Sequence, residues 1–151
     1  MNIPKYDIKA SDNRLRYEFI STGPKGSIQK VVEYTYLSEL GFWNLGFGDY
    51  DSLSDQINDT VVTDNNDARK VLATVVETLF DFFKVYSDQT VIFTGSDKRR
   101  NRVYNRAVAL YQHQYANNLI ITGLGDDDNE RSLETDGVYF AFFIRKNLSN
   151  T

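Results

Sequence analysis

The first third of the chain alternates apolar and polar residues, a pattern that is typical of half-buried β-strands. Residues 14–21 place three large apolar side chains on one face at a spacing of two: Leu15, Tyr17 and Phe19. Residues 28–37 alternate in the same way, and residues 22–26 between them read TGPKG, the composition of a tight turn. The pattern predicts a β-hairpin, and residues 42–47 predict a third strand that completes an antiparallel meander.

The middle of the chain changes to the helical period of an amphipathic segment. After a polar stretch at residues 48–64 that predicts a connecting loop, apolar side chains recur at i, i+3, i+4 and i+7 through residues 68–86. Asp64 or Asn65 is placed to cap the start of this helix. The remaining predicted elements are a strand at residues 90–94, a second helix at about residues 97–115, and strands at residues 119–122 and 138–144.

These elements follow one another in the order β-β-β-α-β-α-β-β. We therefore predict an α+β fold with a mixed sheet, in which the antiparallel meander is followed by β-α-β-α-β units. Strands joined through a helix are expected to run parallel, with right-handed crossovers. The order of elements resembles the ribonuclease H-like topology, although a fold by itself does not determine a function. Because no repeat, low-complexity tract or linker interrupts the chain, we expect a single domain over residues 1–151.

Composition and charge exclude several classes of protein. The chain contains no cysteine, so a disulfide scaffold, a thiolate zinc site and a cysteine nucleophile are excluded. No stretch approaches the roughly 18 apolar residues of a membrane-spanning helix, and the N-terminus has no apolar run typical of a signal peptide. We therefore expect a cytoplasmic protein that does not cross a membrane. The formal net charge is −4, opposite in sign to that of a general nucleic-acid binder, so anion binding requires a local basic patch.

Positive charge is concentrated where the second predicted helix begins. Thr94 ends a predicted strand, Gly95 permits an unusual backbone turn, and Ser96 is placed to cap the helix. Five cations follow within nine residues: Lys98, Arg99, Arg100, Arg102 and Arg106. Since the N-terminus of a helix already carries partial positive charge, each cation there costs about 0.3–1 kcal/mol at low salt unless an anion neutralises it. An anion is therefore expected near these residues.

Two sources of that anion remain open. The first is a bound phosphate or carboxylate, held by free N–H groups of the first helical turn and by the side chains of this segment: Ser96, Lys98, Arg99, Arg100, Arg102 and Arg106. The partner would then be a nucleic acid, a nucleotide or an acidic protein surface. The second is the chain's own acidic loop at residues 126–130, because loops that follow adjacent parallel strands lie close together. The segment has neither the lysine-serine ending of a phosphate loop nor the second glycine of a dinucleotide fingerprint. We therefore favour a non-enzymatic binding domain that uses no cofactor.

The acidic residues and the histidine offer weaker hypotheses of catalysis. Three consecutive aspartates at residues 126–128 do not have the ligand spacing of a calcium loop, so we predict no metal site there. A metal-dependent nuclease of ribonuclease H-like topology would need converging carboxylates, drawn from Glu18, Glu77, Asp97 and either Asp126 or Asp128. That set is incomplete on the first strand, where Glu18 is the one carboxylate. His113, the single histidine, is interpreted as a surface or capping residue.

The last predicted strand suggests an alternative function as an interaction module, one partner of a small regulatory or defence pair. Both of its faces carry large apolar side chains: Tyr139, Phe140, Phe142, Phe143 and Ile144. A strand at the edge of a sheet that is covered on one side needs fewer of them. The pattern therefore predicts that the C-terminal strand contacts another protein or forms a homo-oligomer.

Four segments of the chain together resemble a family of small uncharacterised bacterial proteins. They are YEFISTGPKG at residues 17–26, VVEY at 31–34, VIFTGSDKRRNRVY at 91–104 and YFAFFIRK at 139–146. The more specific part is a Thr-Gly-Ser segment followed by arginines and a tyrosine, which maps onto six positions: Thr94, Gly95, Ser96, Arg100, Arg102 and Tyr104. The resemblance implies a bacterial, cytoplasmic domain of unknown function, and it implies no activity.

Overall fold

The computed structural model describes residues 4–58, 65–94, 117–125, 127–133 and 139–148. Within these residues nine strands form a mostly antiparallel sheet, and one helix accompanies them. The strands are β1 (Lys9–Ala10), β2 (Arg16–Gly23), β3 (Gly26–Leu37), β4 (Phe42–Asp51), β5 (Gln56–Asn58), β6 (Thr90–Phe93), β7 (Leu119–Leu124), β8 (Glu130–Ser132) and β9 (Ala141–Lys146). The helix, α1, spans Ala68–Val85. The predicted α+β class is therefore confirmed.

The chain divides into two compact units, and strands β3 and β4 run through both. Unit 1 comprises Met1–Thr35 and Gly46–Val85, and unit 2 comprises Tyr36–Leu45 and Tyr86–Thr151. In unit 1 the strand order is β1-β2-β3-β4, with β5 paired to β4. In unit 2 the order is β4-β6-β9-β7-β8. The expectation of a single domain over residues 1–151 stays a prediction.

The alternation in the first third of the chain produces the buried face of unit 1. β2 and β3 pair antiparallel through the register Tyr17↔Val32 and Phe19↔Lys30, so these four side chains share one face. Tyr17 and Val32 are fully buried, and the ring of Phe19 stacks on Tyr6 at a centroid distance of 5.8 Å. The predicted hairpin, with its apolar residues on one side, is confirmed.

Helix α1 packs its apolar stripe on this face. The ring of Phe82 stacks on Tyr34 with the centroids 4.4 Å apart, and the Tyr34 hydroxyl lies 2.9 Å from the hydroxyl of Thr78. Burial is the main reason why the pKa of Tyr34 is raised well above its ordinary value of 10.0. The buried tyrosine hydroxyl thus finds its partner on the helix, so that packing and hydrogen bonding position α1 together.

The connecting loop predicted for residues 48–64 is in part a second hairpin. β4 continues to Asp51, and β5 pairs antiparallel with its last three residues. Asp49 takes the next position on the face of Trp43, Leu45 and Phe47, so the apolar alternation by which the full length of β4 would be recognised in the sequence ends there.

Helix α1 begins directly after Asp67. The carbonyl oxygen of Asp67 accepts the N–H of Val71 at 2.9 Å, so Asp67 occupies the position that caps the helix. Asn65, which was expected to cap it, uses its side chain on the β2–β3 turn instead. Asp64, the other predicted cap, lies outside the described residues.

Strand directions in unit 2 differ from the predicted series of neighbouring parallel strands. β4 and β6 do pair parallel, through Trp43↔Val91. β6 and β7, however, each pair antiparallel with β9, which lies between them. β6 and β7 therefore point in the same direction without being neighbours, and the ribonuclease H-like topology is not confirmed.

The C-terminal strand β9 is an interior strand of unit 2. Its residues Ala141, Phe142, Phe143 and Ile144 are all buried, and both of its edges are paired. Apolar side chains on both faces are what an interior strand requires, which accounts for the pattern without an external partner. The edges of β9 are not open to a second copy, so the expected homo-oligomer through this strand loses its basis.

Replacing Gly123 by alanine should destabilise unit 2. A Cβ added to Gly123 would lie 2.3 Å from Cδ1 of the Tyr139 ring, so ring or strand must move. We expect a loss of about 1–3 kcal/mol in the free energy of unfolding, as for other overpacked sites. Gly125→Ala is the matched control. A Cβ added there would lie 3.0 Å from its nearest neighbour, the Oδ1 atom of the exposed Asp127 side chain. Equal urea midpoints for Gly123→Ala and the wild type would contradict the packing of Tyr139 on β7.

Candidate functional site

The predicted anion-binding residues, Ser96, Lys98, Arg99, Arg100, Arg102 and Arg106, lie outside the described residues, as do the second predicted helix and His113. The structure does place the strand that leads to them. β6 ends at Phe93, opposite Phe142 near the start of β9, and the exposed Thr94 follows. β6 therefore ends, with Thr94 after it, at the end of the sheet at which β9 begins.

The strand that precedes the acidic loop ends at the same end of the sheet. Leu124, the last residue of β7, lies opposite Ala141, the first residue of β9. Because β9 separates β6 from β7, the two carboxyl ends are about 10 Å apart, which is two strand spacings. The strands that precede the basic segment and the acidic loop thus end at the same end of the sheet, although they are not the adjacent parallel strands that were expected.

Asp127 in this loop has an arginine partner outside the basic segment. Its carboxylate forms an ion pair with Arg131, four residues later, and accepts the N–H of Asn129 at 3.3 Å. The bond from the Asn129 backbone, followed by the one from Arg131, lowers the pKa of Asp127 below its ordinary value of 3.8. The loop is closed on itself by Asp128, whose N–H donates to the Gly125 carbonyl at 3.2 Å.

Glu130 is bound in the same way by the neighbouring strands. Arg145 on β9 places its two terminal nitrogens 3.1 and 3.2 Å from the two carboxylate oxygens, a bidentate pair. The hydroxyl of Thr122 on β7 donates to the same carboxylate at 2.8 Å. Arg145 is the main cause of the lowered pKa of Glu130. Two carboxylates of the acidic loop are therefore engaged by arginines that do not belong to the basic segment.

The described residues provide no metal centre. No group of three or more histidine, aspartate or glutamate side chains within the described ranges could hold a metal ion. Two of the carboxylates that a nuclease would need form ion pairs. The carboxylate of Glu18 lies 3.7 Å from the guanidinium of Arg16, and that of Glu77 lies 2.9 Å from the ammonium of Lys5. The others named for that role, Asp97 and Asp126, lie outside the described residues, and Asp128 is an exposed loop residue.

A second polar cluster, which sequence reasoning did not single out, joins the β2–β3 hairpin to the start of α1 in unit 1. Asp67 accepts two short hydrogen bonds on one carboxylate oxygen, from the hydroxyl of Ser21 and from the hydroxyl of Tyr6, both at 2.6 Å. Ser21 is fully buried. Its hydroxyl is therefore neither accessible nor free to act as a nucleophile. The cluster instead holds the β2–β3 hairpin against the start of α1.

Asn65 fixes the tip of the same hairpin. Its side-chain oxygen accepts the N–H of Lys25 at 2.7 Å, and its amide nitrogen donates to the carbonyl of Gly26 at 2.8 Å. Gly23 is needed beside it, because a Cβ there would lie 2.1 Å from the main-chain oxygen of Asn65. The first glycine of the TGPKG turn, Gly23, is thus explained by the close approach of the Asn65 backbone and not by the turn alone.

The buried Lys30 adds an ion pair to the inner face of unit 1. Its side chain is 1% exposed and binds the carboxylate of Asp49 on β4. On this face Lys30 is a diagonal neighbour of Ser21, which pairs with Ile28. A buried lysine needs such a partner, since an isolated charge in the interior is strongly disfavoured.

Comparison with known proteins identifies the family. The profile of the family of unknown function DUF6934 matches residues 2–147, which is almost the entire chain. The chain belongs to DUF6934. No curated protein and no solved structure matched it.

Membership of DUF6934 confirms the resemblance seen in the sequence. The structure describes the hairpin that is one part of that resemblance. In the hairpin part, Ser21, Gly23, Lys25 and Gly26 all contact Asn65 or Asp67, so they are accounted for by packing. Of the Thr-Gly-Ser segment only Thr94 lies within the described residues. No helix in the described part of the chain is both long and apolar enough to cross a bilayer.

Truncating the Asn65 side chain should loosen the hairpin from α1 in this DUF6934 chain. Asn65→Ala leaves the N–H of Lys25 and the carbonyl of Gly26 without their partner, at a cost of about 1–3 kcal/mol. Gln56→Ala, which removes an exposed amide from β5, is the control. Urea denaturation measures both. A loss for Asn65→Ala no larger than for the control would contradict the anchoring role.

The Glu130 pair should make stability depend on acid. Since the folded-state pKa of Glu130 lies below the ordinary value of 4.5, its contribution is present above that pH and is lost as the pH falls through the folded-state value. The advantage of the wild type over Glu130→Gln should therefore shrink on acidification below pH 4.5. Exposed Glu39→Gln serves as the control. A difference in unfolding free energy that stays constant with pH would show that Arg145 does not hold the charged form.

Proposed function

We propose that this member of DUF6934 is a non-enzymatic binding domain that holds a phosphate-bearing or acidic partner with its basic segment. The residues that would make the contacts are Ser96, Lys98, Arg99, Arg100, Arg102 and Arg106. A partner with several negative charges suits them best, because one small anion cannot contact so many cations at once.

The observation that carries this proposal is the state of the acidic loop. Internal neutralisation was the main competing explanation for the crowded cations, and it relied on the carboxylates at residues 126–130. Asp127 is paired with Arg131 and Glu130 with Arg145, so both already face an arginine of their own. Breaking a bidentate arginine–carboxylate pair to serve another cation brings little net gain. This favours an external anion for the basic segment.

The position of the segment also suits binding. It follows the exposed Thr94 at the end of β6, and loops and helix starts at the carboxyl ends of strands are common places for ligands. If residues 97–115 form the helix that the sequence predicts, Arg99, Arg102 and Arg106 share one stripe at spacings of three and four. Such a stripe presents planar guanidinium groups in a row to an extended partner.

Removing two arginines of the stripe should weaken binding and reduce its salt dependence. The test compares wild type and Arg99→Ala/Arg102→Ala by calorimetric titration with inorganic tripolyphosphate, a single-stranded oligonucleotide and polyglutamate, over a range of NaCl concentrations. If the partner is a nucleic acid, the slope of log K against log salt should fall by about 0.7–0.9 for each lost phosphate contact.

A matched control removes the same charge elsewhere. Lys9→Ala/Lys84→Ala takes two exposed lysines from unit 1 and should leave binding nearly unchanged. Preference among the three probes then identifies the class of partner. Binding of none of them, or equal binding by wild type and the arginine double variant, would contradict the proposed function.

A further inference from the structure

The outer edge of β2 is covered at two points by the N-terminal segment, residues 4–10. β1 covers the first, where Lys9 lies opposite Glu18. The side chain of Tyr6 covers the second, because its hydroxyl oxygen accepts the N–H of Thr22 at 3.1 Å and lies 3.2 Å from the Thr22 carbonyl oxygen. At Thr22 a tyrosine hydroxyl therefore takes the place of a neighbouring strand.

Alternate residues of β2 direct their backbone groups to this outer edge. The carbonyl of Leu15 accepts the N–H of Tyr34 on β3, whereas the carbonyl of Arg16 accepts the N–H of Ser11 on the other side. By the same alternation Ile20 faces outward. Within the described part of the chain the N–H and C=O of Ile20 have no hydrogen-bond partner, and its side chain is 56% exposed.

Tyr6 provides several of the contacts that hold the N-terminal segment over this edge. The hydroxyl of Tyr6 donates to Asp67, its N–H donates to the Thr74 hydroxyl at 2.9 Å, and the Lys70 ammonium lies 4.1 Å from its ring centroid. Residues 4–8 form no backbone ladder with β2. The ion pair of Lys5 is exposed, and such pairs contribute little. Loss of the Tyr6 side chain removes the contacts with Asp67, Thr22 and Lys70 and should therefore loosen residues 4–8, although the N–H of residue 6 can still donate to Thr74 and β1 stays paired.

We infer that the N-terminal segment is a detachable guard, and that the β2 edge beneath it pairs with the same edge of a second copy. In an antiparallel pair centred on Ser21, Ile20 of each copy lies opposite Thr22 of the other, and both residues exchange N–H···O bonds across a twofold axis. The edge is self-complementary in this register, as a symmetric dimer requires. Glu18 then lies opposite Pro24, so no like charges meet.

A second copy fits this edge better than a strand of another protein for two reasons on the strand itself. The outward residues in reach, Ile20 and Thr22, carry no charge that would select a partner of opposite sign. The bare edge between Glu18 and Thr22 is also short, and two equal short edges satisfy one another fully.

Sedimentation velocity of the full chain over a wide range of concentration tests the inference. Tyr6→Ala should form dimers at concentrations where the wild type does not, and Tyr6→Phe should do so more weakly because it retains the ring packing on Phe19. Adding Ile20→Lys, which places a charge on the edge, should return Tyr6→Ala to the wild-type sedimentation. If Tyr6→Ala fails to fold by circular dichroism, Tyr6→Phe with and without Ile20→Lys provides the same comparison.

Amide hydrogen exchange shows independently whether the edge has opened. At concentrations low enough for both Tyr6 variants to be monomeric, the N–H of Thr22 should exchange about tenfold faster, the factor expected for the loss of one hydrogen bond, while the N–H of Tyr34 should not change. Faster exchange at Thr22 without dimers would overturn the pairing of copies, as would dimers that persist with Ile20→Lys. Unchanged exchange at Thr22 would overturn the guard. An oligomer already present in the wild type and dissolved by Ile20→Lys would also overturn the guard.

Discussion

The interior position of β9 is the constraint on which the architecture of unit 2 depends. A strand with apolar side chains on both faces has to be covered on both sides, and a strand inside a sheet also has both edges paired. β9 meets these conditions between β6 and β7, with Ala141, Phe142, Phe143 and Ile144 buried. Because both neighbours run antiparallel to it, their carboxyl ends point the same way. Because of that shared direction, the strands that precede the acidic loop and the basic segment end at the same end of the sheet.

The electrostatics at this end follow from that arrangement. Carboxylates in the acidic loop are close enough to the strands to be held by Arg131 of β8 and Arg145 of β9. The pKa of Asp127 is lowered by the Asn129 N–H and then by Arg131, and the pKa of Glu130 is lowered mainly by Arg145. These local pairs engage two of the four carboxylates of the loop, Asp127 and Glu130, and so reduce the negative charge that could otherwise neutralise the cations of residues 98–106. The functional account therefore depends on a balance of charge within a few residues, in a chain whose net charge of −4 gives no hint of it.

The sequence predicted the elements whose patterns are strong. The alternation of apolar and polar residues predicted β2 and β3, and the apolar stripe predicted α1 with its end displaced by one residue. Where Asp49 follows Phe47 on the apolar face, the alternation ended and the end of β4 was interpreted as loop. The position of β9 could not be predicted, because the faces of a strand reveal burial but not which strands lie beside it. Because of that ambiguity, the C-terminal strand was expected to contact another protein or a second copy.

The polar contacts were the least predictable part of the site. Ser21 is far from Asn65 and Asp67 in the chain, and nothing in the local sequence indicates that they meet; Gly23 of the turn was the one available signal. Asn65 was expected at a helix cap because it is a good capping residue, yet the hairpin turn offered it two buried backbone partners instead. The basic segment could be recognised from the sequence alone, because several cations close to a predicted helix start are unusual in any fold.

The most direct measurement of the central claim is nuclear magnetic resonance of the arginine side-chain Nε–H groups, without and with inorganic tripolyphosphate. Guanidinium protons in an ion pair exchange slowly with water and give sharp signals. The account predicts that Arg145 is protected from the start, whereas Arg99 and Arg102 become protected only when the polyanion is added. Slow exchange at Arg99 and Arg102 in the protein alone, unaffected by the anion, would show that the chain already neutralises them and would contradict the account.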